Sequence, residues 1–132
     1  MQLNQVIVSV SNITNSVAFY KTLGFQLIVL TDTYARFIIP DNQATFSLHL
    51  AENVLPSDTM LYFECEDVDS TFNQLKNKGI EFIMPVTNQP WLWREAYFND
   101  PDGNKLCIYH AGENRLNPPW RIKEYLINAN IK

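Results

Sequence analysis

The sequence repeats one pattern of apolar residues and glycines, and this repeat limits the possible folds more than any other feature. Residues Val6–Val29 read VIVSVSNITNSVAFYKTLGFQLIV, and residues Leu61–Met84 read LYFECEDVDSTFNQLKNKGIEFIM. At a constant offset of 55 residues the two stretches match without a gap, so that Gly24 falls on Gly79. Two copies are too few for a solenoid, in which stacked repeats bury a continuous core. The repeat therefore predicts two similar modules that share one core.

The length and composition indicate a single globular domain. The chain has 132 residues, of which 46% are hydrophobic and 18% are charged. This length is enough for one domain with a real core but not for two independent domains. The net charge is −4 and no basic run occurs. Because binding to phosphate backbones needs clustered Lys and Arg, we expect no nucleic-acid partner.

The sequence also indicates a cytoplasmic protein. No apolar run is long enough to span a membrane, so no membrane partner is expected. The first residues lack a positive segment followed by an apolar stretch, which a signal peptide requires. Two cysteines, Cys65 and Cys107, do not make a disulfide framework, and this agrees with a reducing compartment.

Each repeat predicts the element order β-α-β-β-β. In the first copy, a β-branched strand precedes Asn12, a suitable N-cap, and apolar residues then recur at helical spacing until Gly24 ends the helix. In the second copy, Asp67 and Gly79 have the same roles. The predicted strands are Leu3–Val10, Phe25–Leu30, Tyr34–Ile39, Thr45–Leu50, Met60–Cys65, Ile80–Met84, Trp93–Phe98 and Lys105–His110, and residues 85–90 are predicted to form a loop.

The domain organisation follows from the repeat. Residues 1–112 are predicted to form one domain of two modules, 3–52 and 59–111, joined by a linker rich in turn residues. Residues 113–132 form a C-terminal extension, in which Trp120–Ile131 has the apolar spacing of a short helix.

Two segments carry a family resemblance. SVAFYKTLGF (Ser16–Phe25) and FNDPDGN (Phe98–Asn104) resemble the vicinal oxygen chelate superfamily, which includes glyoxalase I, extradiol dioxygenases, and fosfomycin- and bleomycin-resistance proteins. The resemblance spans residues 3–111. It implies an α+β fold, in which tandem β-α-β-β-β modules form an open, half-barrel mixed sheet with the helices on its convex face. The concave side then forms a ligand cleft, and a homodimer is expected.

The metal positions of the family are altered in this sequence. The resemblance places them at Gln5, Ser47, Met60 and Cys107, where metal-dependent members have His or Glu. An amide and a thioether are poor ligands for Fe²⁺, Mn²⁺, Ni²⁺ or Zn²⁺. We therefore expect no metal cofactor and no catalytic residue. A displaced metal site of His49, Glu64 and Cys107 stays open as the alternative, which would make the protein a glyoxalase- or dioxygenase-like enzyme.

The cleft predicted from the resemblance is rich in aromatic residues. Strand parity and the PWLWRE segment place Trp and Tyr side chains there, which suit planar or amphipathic small molecules, and an arginine is available for a carboxylate. The predicted ligand-binding residues are Gln5, Ile7, Phe37, Ser47, His49, Met60, Tyr62, Trp91, Trp93, Arg94, Cys107 and Tyr109.

The favoured function is metal-independent binding of a small organic molecule, such as an antibiotic or a toxic metabolite, as in bleomycin-resistance proteins. A third interpretation comes from the extension. It is a regulatory or interaction domain whose cleft is closed by residues 114–132, within its own chain or across the dimer.

Overall fold

The computed structural model describes residues 1–123 and contains two β-α-β-β-β modules. The elements are β1 (Gln5–Val10), α1 (Ile13–Thr22), β2 (Gln26–Leu30), β3 (Tyr34–Ile38), β4 (Thr45–Leu50), β5 (Met60–Glu64), α2 (Val68–Asn77), β6 (Thr87–Asn88), β7 (Arg94–Asn99) and β8 (Lys105–His110).

The two helices begin and end with the same local chemistry. Asn12 Oδ1 accepts a hydrogen bond from the amide of Asn15 over 2.9 Å, and Asp67 Oδ1 accepts one from Ser70 over 3.0 Å. Each side chain thus satisfies an amide that lacks a partner in the first helical turn. Each helix is followed by a glycine with positive φ, 92° at Gly24 and 98° at its equivalent in the second module. The sequence repeat is therefore also a repeat of helix boundaries.

The strands form two four-stranded mixed sheets. The strand order is β1-β4-β3-β2 in the first sheet and β5-β8-β7-β6 in the second. The pairs β1–β4 and β5–β8 are parallel, and the remaining pairs are antiparallel. Neither sheet closes on itself, which confirms the predicted α+β fold of tandem modules with open, mixed sheets.

One apolar core joins the two modules. It contains both helices and the side of each sheet that the helices cover, which we call the helix face. The rings of Phe25 and Phe63 lie 5.5 Å apart, and those of Phe19 and Phe98 lie 6.2 Å apart, so aromatic contacts cross between modules. Burial of these large rings is a major source of core stability. The modules consequently form one packing unit.

The sixth strand differs from the prediction. Residues 80–84 do not form a strand, although Phe82 forms an isolated bridge with Phe98 and the amide of Ile83 donates to the carbonyl of Tyr97. The regular pairing lies instead at Thr87–Asn88, inside the segment predicted to be a loop. Pro85 explains the shift, because it has no N–H to donate and interrupts the ladder before it can lengthen.

The C-terminal extension is described only in part. A one-turn 3-10 helix spans Gly112–Asn114, and residues 120–123 are not helical. Most of the predicted helix Trp120–Ile131 lies outside the described residues. Within residues 1–123, neither helix is long and apolar enough to cross a membrane.

Candidate functional site

Each sheet has a second side that no helix covers, and we call it the helix-free face. Strand alternation determines which side chains point there, because successive residues of a strand point to opposite sides. On the first sheet this face carries Gln5, Ile7, Ser9, Tyr34, Arg36, Ser47 and His49. On the second sheet it carries Met60, Tyr62, Glu64, Trp93, Glu95, Tyr97, Cys107 and Tyr109.

A buried glutamate lies at the centre of the helix-free face of the second sheet. Glu95 has no exposed surface. Its Oε1 accepts a hydrogen bond from Trp91 Nε1 over 2.7 Å, and its Oε2 accepts one from the Tyr97 hydroxyl over 2.6 Å. The Cys107 sulfur lies 3.8 Å from Oε2 and 3.4 Å from the carbonyl oxygen of Ile108, so its one hydrogen has two possible acceptors. The two short contacts therefore each present a donor to the carboxylate.

Aromatic rings surround this carboxylate. Trp93 stacks on Tyr109 with ring centroids 4.8 Å apart. Tyr62 meets both rings edge-on, at 5.6 Å from Trp93 and 5.3 Å from Tyr109. Offset stacking and edge-to-face contacts are the favoured geometries for aromatic pairs. Together these three residues, with Trp91, Glu95 and Tyr97, form what we call the aromatic cluster.

The acid–base properties of the cluster disfavour thiol and phenol ionisation. Burial, together with the negative charge of Glu95, raises the pKa of the Cys107 thiol to about 12. Burial and the same carboxylate also raise the pKa of the Tyr62 phenol and that of Tyr97. Because the thiolate is the nucleophilic form of cysteine, Cys107 is a poor nucleophile at neutral pH.

The helix-free face of the first sheet carries a polar network. Gln5 Nε2 donates to Ser47 Oγ over 2.7 Å, and Ser47 Oγ lies 2.7 Å from the Tyr34 hydroxyl, to which Arg36 Nε donates over 2.9 Å. The hydrogen bond with Ser47, and to a lesser extent that from Arg36, lowers the pKa of the Tyr34 phenol. This face is thus cationic at its centre, whereas the corresponding centre of the second sheet is anionic.

An open cavity of about 400 Å³ lies where the first strands of the two modules begin. Gln5 and Met60, which are equivalent positions of the repeat, both line it, as does Tyr62. Its volume falls in the range typical of small-molecule sites. Tyr62 also belongs to the aromatic cluster, so the cavity and the cluster share this side chain. The lining residues are Leu3, Gln5, Val6, Ile39, Asn42, Ala44, Thr45, Phe46, Met60, Leu61, Tyr62 and Phe63.

Most predicted ligand-binding residues lie on the two helix-free faces, in two groups. The first sheet carries Gln5, Ile7, Ser47 and His49, and the second sheet with its adjoining loop carries Met60, Tyr62, Trp91, Trp93, Cys107 and Tyr109.

Two predicted residues lie on the helix face instead. Phe37 is fully buried in the core, where its ring contacts Tyr20 and Phe25. Its neighbour Arg36 occupies the helix-free face, so parity excludes Phe37 from that side. Arg94 shares the helix side of its strand with the core residue Ala96, and it is paired there with Asp69, Nη2 to Oδ1, over 2.7 Å. Its guanidinium is therefore not directed at the cavity.

The donor set at the family's metal positions does not fit a metal ion. Gln5 and Ser47 are hydrogen-bonded to each other, and the Glu95 carboxylate, 3.8 Å from the Cys107 sulfur, opposes formation of a thiolate there. Metal ligation by cysteine requires the thiolate. The alternative set is also dispersed, because His49 lies on the first sheet and Cys107 on the second. Among residues 1–123, no three His, Cys, Asp or Glu side chains lie close enough together to hold a metal ion.

Glu64 has a structural role. Its Oε2 accepts hydrogen bonds from the amides of Ala111 over 2.7 Å and Gly112 over 2.9 Å. These bonds fix the start of the extension beside the aromatic cluster, where Trp93 Nε1 donates to the Asn114 carbonyl over 3.4 Å. The remainder of the proposed closing segment, residues 124–132, lies outside the described part of the chain.

Sequence reasoning missed Glu95 as a residue of the candidate site. The sequence pattern did contain an indication. Glu95 and Tyr97 point to one side of their strand, and the apolar residues Ala96 and Phe98 point to the other, buried side. A glutamate between two aromatic side chains of the same face, Trp93 and Tyr97, is unusual on a solvent-exposed strand. Its burial could not be deduced, since it depends on Trp91 folding back from the preceding loop.

Comparison with known proteins identifies related sequences and folds. Residues 2–108 match the family model of the Glyoxalase/Bleomycin resistance protein/Dioxygenase superfamily. The uncharacterized protein YraH of Bacillus subtilis (strain 168) is 29% identical, and the match covers 83% of this chain and 98% of that protein.

Solved structures share the fold at low sequence identity. A glyoxalase/bleomycin resistance protein/dioxygenase from Nocardioides superimposes with a TM-score of 0.72 and 23% identity, covering 84% of this chain and 83% of that one. A bleomycin-binding protein complexed with bleomycin superimposes with a TM-score of 0.71 and 19% identity, covering 83% of this chain and 98% of that one.

Proposed function

The chain belongs to the Glyoxalase/Bleomycin resistance protein/Dioxygenase superfamily, and we propose that it binds a small organic molecule without a metal ion. The binding site of this proposal is the cavity between the modules together with the adjoining aromatic cluster. One structural relative is a bleomycin-binding protein in complex with its ligand, and an antibiotic or a toxic metabolite is a suitable ligand class here too.

The position of Tyr62 is the observation that carries this proposal. Tyr62 lines the cavity of about 400 Å³ and also contacts Trp93 and Tyr109 at its rim. A ligand in the cavity would thus have a flat aromatic surface beside an apolar wall. This combination of apolar area with few polar groups is typical of small-molecule sites. The exposure of Tyr62, 42%, leaves room for such a contact.

Metal independence is supported by the chemistry of the donors. The enzymes that the family resemblance suggests use a metal as Lewis acid or oxygen activator. Here the equivalent positions hold an amide, a hydroxyl, a thioether and a thiol beside a carboxylate, and the amide donates a hydrogen bond to the hydroxyl. Binding of an organic molecule needs no such ion.

A homodimer is part of the proposal. Several large apolar side chains are exposed on the helix-free face of the first sheet, namely Ile7, Ile28, Leu30 and Ile38. Ile28, Leu30 and Ile38 lie on the neighbouring strands β2 and β3, and neighbouring exposed apolar side chains are typical of interaction sites. A two-fold dimer would cover them, as closed symmetry requires the same patch on both subunits.

The proposal can be tested by quenching of tryptophan fluorescence. Trp91 and Trp93 belong to the aromatic cluster, so a bound aromatic compound should quench their emission. We expect saturable quenching by bleomycin or by a planar aromatic drug, and at least about a tenfold loss of affinity in Tyr62→Ala, since aromatic anchors dominate binding energy. Ile83→Ala is the matched control, because Ile83 is 66% exposed and lies outside the cavity.

Two results would contradict the proposal. If neither bleomycin nor any planar aromatic drug gives saturable quenching, or if Tyr62→Ala and Ile83→Ala lose affinity equally, the cavity is not the binding site.

A further inference from the structure

The buried charge of Glu95 bears on the class of ligand. We infer that the molecule bound at the aromatic cluster is an organic cation, a protonated amine or a quaternary ammonium group, held on the aromatic faces over the Glu95 carboxylate. This inference rests on the proposed function, which it deepens by naming the charge of the ligand.

The hydrogen bonds of Glu95 match an ionised carboxylate. An indole N–H is a donor only, so Oε1 accepts from Trp91. Oε2 accepts from the hydroxyl of Tyr97 and faces the thiol of Cys107. An ionised carboxylate is acceptor-only, which suits the indole and hydroxyl donors on its two oxygens. The side chain thus holds a negative charge that is entirely removed from water.

Within residues 1–123, no cationic side chain forms an ion pair with Glu95. Two cations of the second module and one of the extension pair elsewhere. Arg94 pairs with Asp69 on the opposite side of its strand at 2.7 Å, and Lys105 pairs with Asp58 at 2.8 Å. Arg115 lies 3.6 Å from Glu64. Buried charges in proteins are ordinarily paired, and an unpaired one is costly. A ligand cation would supply the missing charge.

The rings in front of the carboxylate can accept a cation. Trp91 and Tyr62 are each 42% exposed, so part of each side chain is open to a ligand. Trp and Tyr faces attract ammonium groups through the ring quadrupole, and quaternary ammonium ligands are recognised by such aromatic surfaces. A carboxylate behind the rings adds attraction in a medium of low dielectric, where charges interact more strongly than in water.

The first sheet provides an internal contrast. Its polar network includes a cation, Arg36, which donates to Tyr34. The two helix-free faces therefore carry charges of opposite sign, and only that of the second sheet combines its charge with stacked aromatic rings. Cation binding is assigned to the second sheet for this reason.

Two small molecules of the same shape, one charged and one neutral, can separate the effect of ligand charge on affinity from the effect of ligand size. Choline carries a trimethylammonium group, and 3,3-dimethylbutan-1-ol is its neutral carbon isostere. We expect the intact protein to bind choline about tenfold more tightly than the isostere, measured by NMR titration, because only the charged probe gains the cation–π attraction and the field of Glu95. In Glu95→Gln the preference should fall to about twofold or less.

The matched control is Glu81→Gln, which removes one negative charge from an exposed position outside the cavity. This variant should keep the preference for choline. A preference that falls equally in both variants would show that net charge decides, and this would overturn the inference.

Failure of the inference can be told apart from failure of the proposed function. If both probes bind the intact protein equally, or if neither binds while a neutral aromatic drug still quenches fluorescence through Tyr62, the ligand is not a cation and the binding function stands. If neither probe nor any drug binds, both are overturned. Even if Glu95→Gln does not fold, comparing the affinities of the two probes for the intact protein tests whether the site prefers a cation.

Discussion

The hydroxyl of Tyr20 donates a hydrogen bond of 2.7 Å to Asp100 Oδ2, although the two residues lie 80 positions apart in the chain. Tyr20 belongs to the first helix and Asp100 to the turn before the last strand, so this bond joins the two modules. Asp100 also accepts from the amides of Asp102 and Asn104, which fixes the turn itself. The two segments that carry the family resemblance thus meet at one buried carboxylate.

The Tyr20–Asp100 bond should contribute measurably to stability. Tyr20→Phe keeps the buried ring but removes the donor, and hydrogen bonds to charged groups contribute about 1.5–3 kcal/mol. We expect a loss of about 2 kcal/mol in the free energy of unfolding, measured with urea. Tyr34→Phe is the control, because Tyr34 is partly exposed and water can replace its hydroxyl as the partner of Ser47 and Arg36, and it should cost less than about 1 kcal/mol. Equal losses in the two variants would contradict a special role for the buried bond.

The same pair predicts a pH dependence. Burial and the negative charge of Asp100 raise the pKa of the Tyr20 phenol well above its ordinary value of 10. The unfolded chain therefore loses this proton at lower pH than the folded chain, so the stabilisation is present below about pH 10 and is lost as the pH rises further. Urea unfolding between pH 8 and 11 should show a steeper fall for the native protein than for Tyr20→Phe. Parallel curves would contradict this.

The thiol of Cys107 should be unreactive in the folded protein. Burial and the charge of Glu95 raise its pKa to about 12, and it has no exposed surface. Because only the thiolate attacks disulfide reagents, we expect no reaction with a chromogenic aromatic disulfide at pH 8. The variant Cys65→Ser isolates this thiol for the measurement. Full reaction in denaturant is the control, and rapid labelling without denaturant would contradict the buried position.

The fold was largely predictable from the sequence. The repeat contains the alternating pattern of strands, the helical spacing of apolar residues, and the residues that begin and end each helix. Asn12 and Asp67 begin the helices, and a glycine follows each, as local chemistry predicts. Local rules failed at residues 80–84, where an apolar run is typical of a strand. Their pairing depends on a distant partner, Phe98, and on a proline that interrupts the ladder.

The candidate site was predictable only in part, because composition identifies side chains but not their surroundings. Parity placed Tyr62 and Cys107 on the same side of their sheet, and they are cross-strand neighbours there. The prediction that Phe37 lines the cleft follows from its residue type alone and conflicts with strand parity. Glu95 was overlooked because a charged residue on a strand is ordinarily exposed, and its burial depends on a contact with Trp91.

Phe37 should matter for stability rather than for binding. Its ring is fully buried between Tyr20 and Phe25, so Phe37→Ala leaves a cavity in the core. We expect a loss of about 4 kcal/mol in the free energy of unfolding, as is usual for buried phenylalanines. The exposed Ile83 provides the control, and Ile83→Ala should change stability by less than about 0.5 kcal/mol. A small loss in Phe37→Ala would place the ring outside the core.

The exposed apolar residues of the first sheet lead to a prediction about assembly. If the helix-free face forms a two-fold interface, Leu30 becomes buried in the dimer, although 57% of it is exposed in the single chain. Leu30→Asp would then place an unpaired charge in an apolar interface, which is strongly unfavourable. Sedimentation should give about twice the 15.3 kDa mass for the native protein and the single mass for the variant.

The control for this experiment is Leu116→Asp, which introduces the same charge at a comparably exposed leucine outside both sheets. It should leave the dimer intact, because Leu116 belongs to the extension rather than to the helix-free face of the first sheet. A native protein that sediments as a monomer at all concentrations, or a Leu30→Asp variant that remains a dimer, would exclude this face as the interface. If the native protein is a monomer, the cavity is complete within one chain, in which Gln5, Met60 and Tyr62 line it.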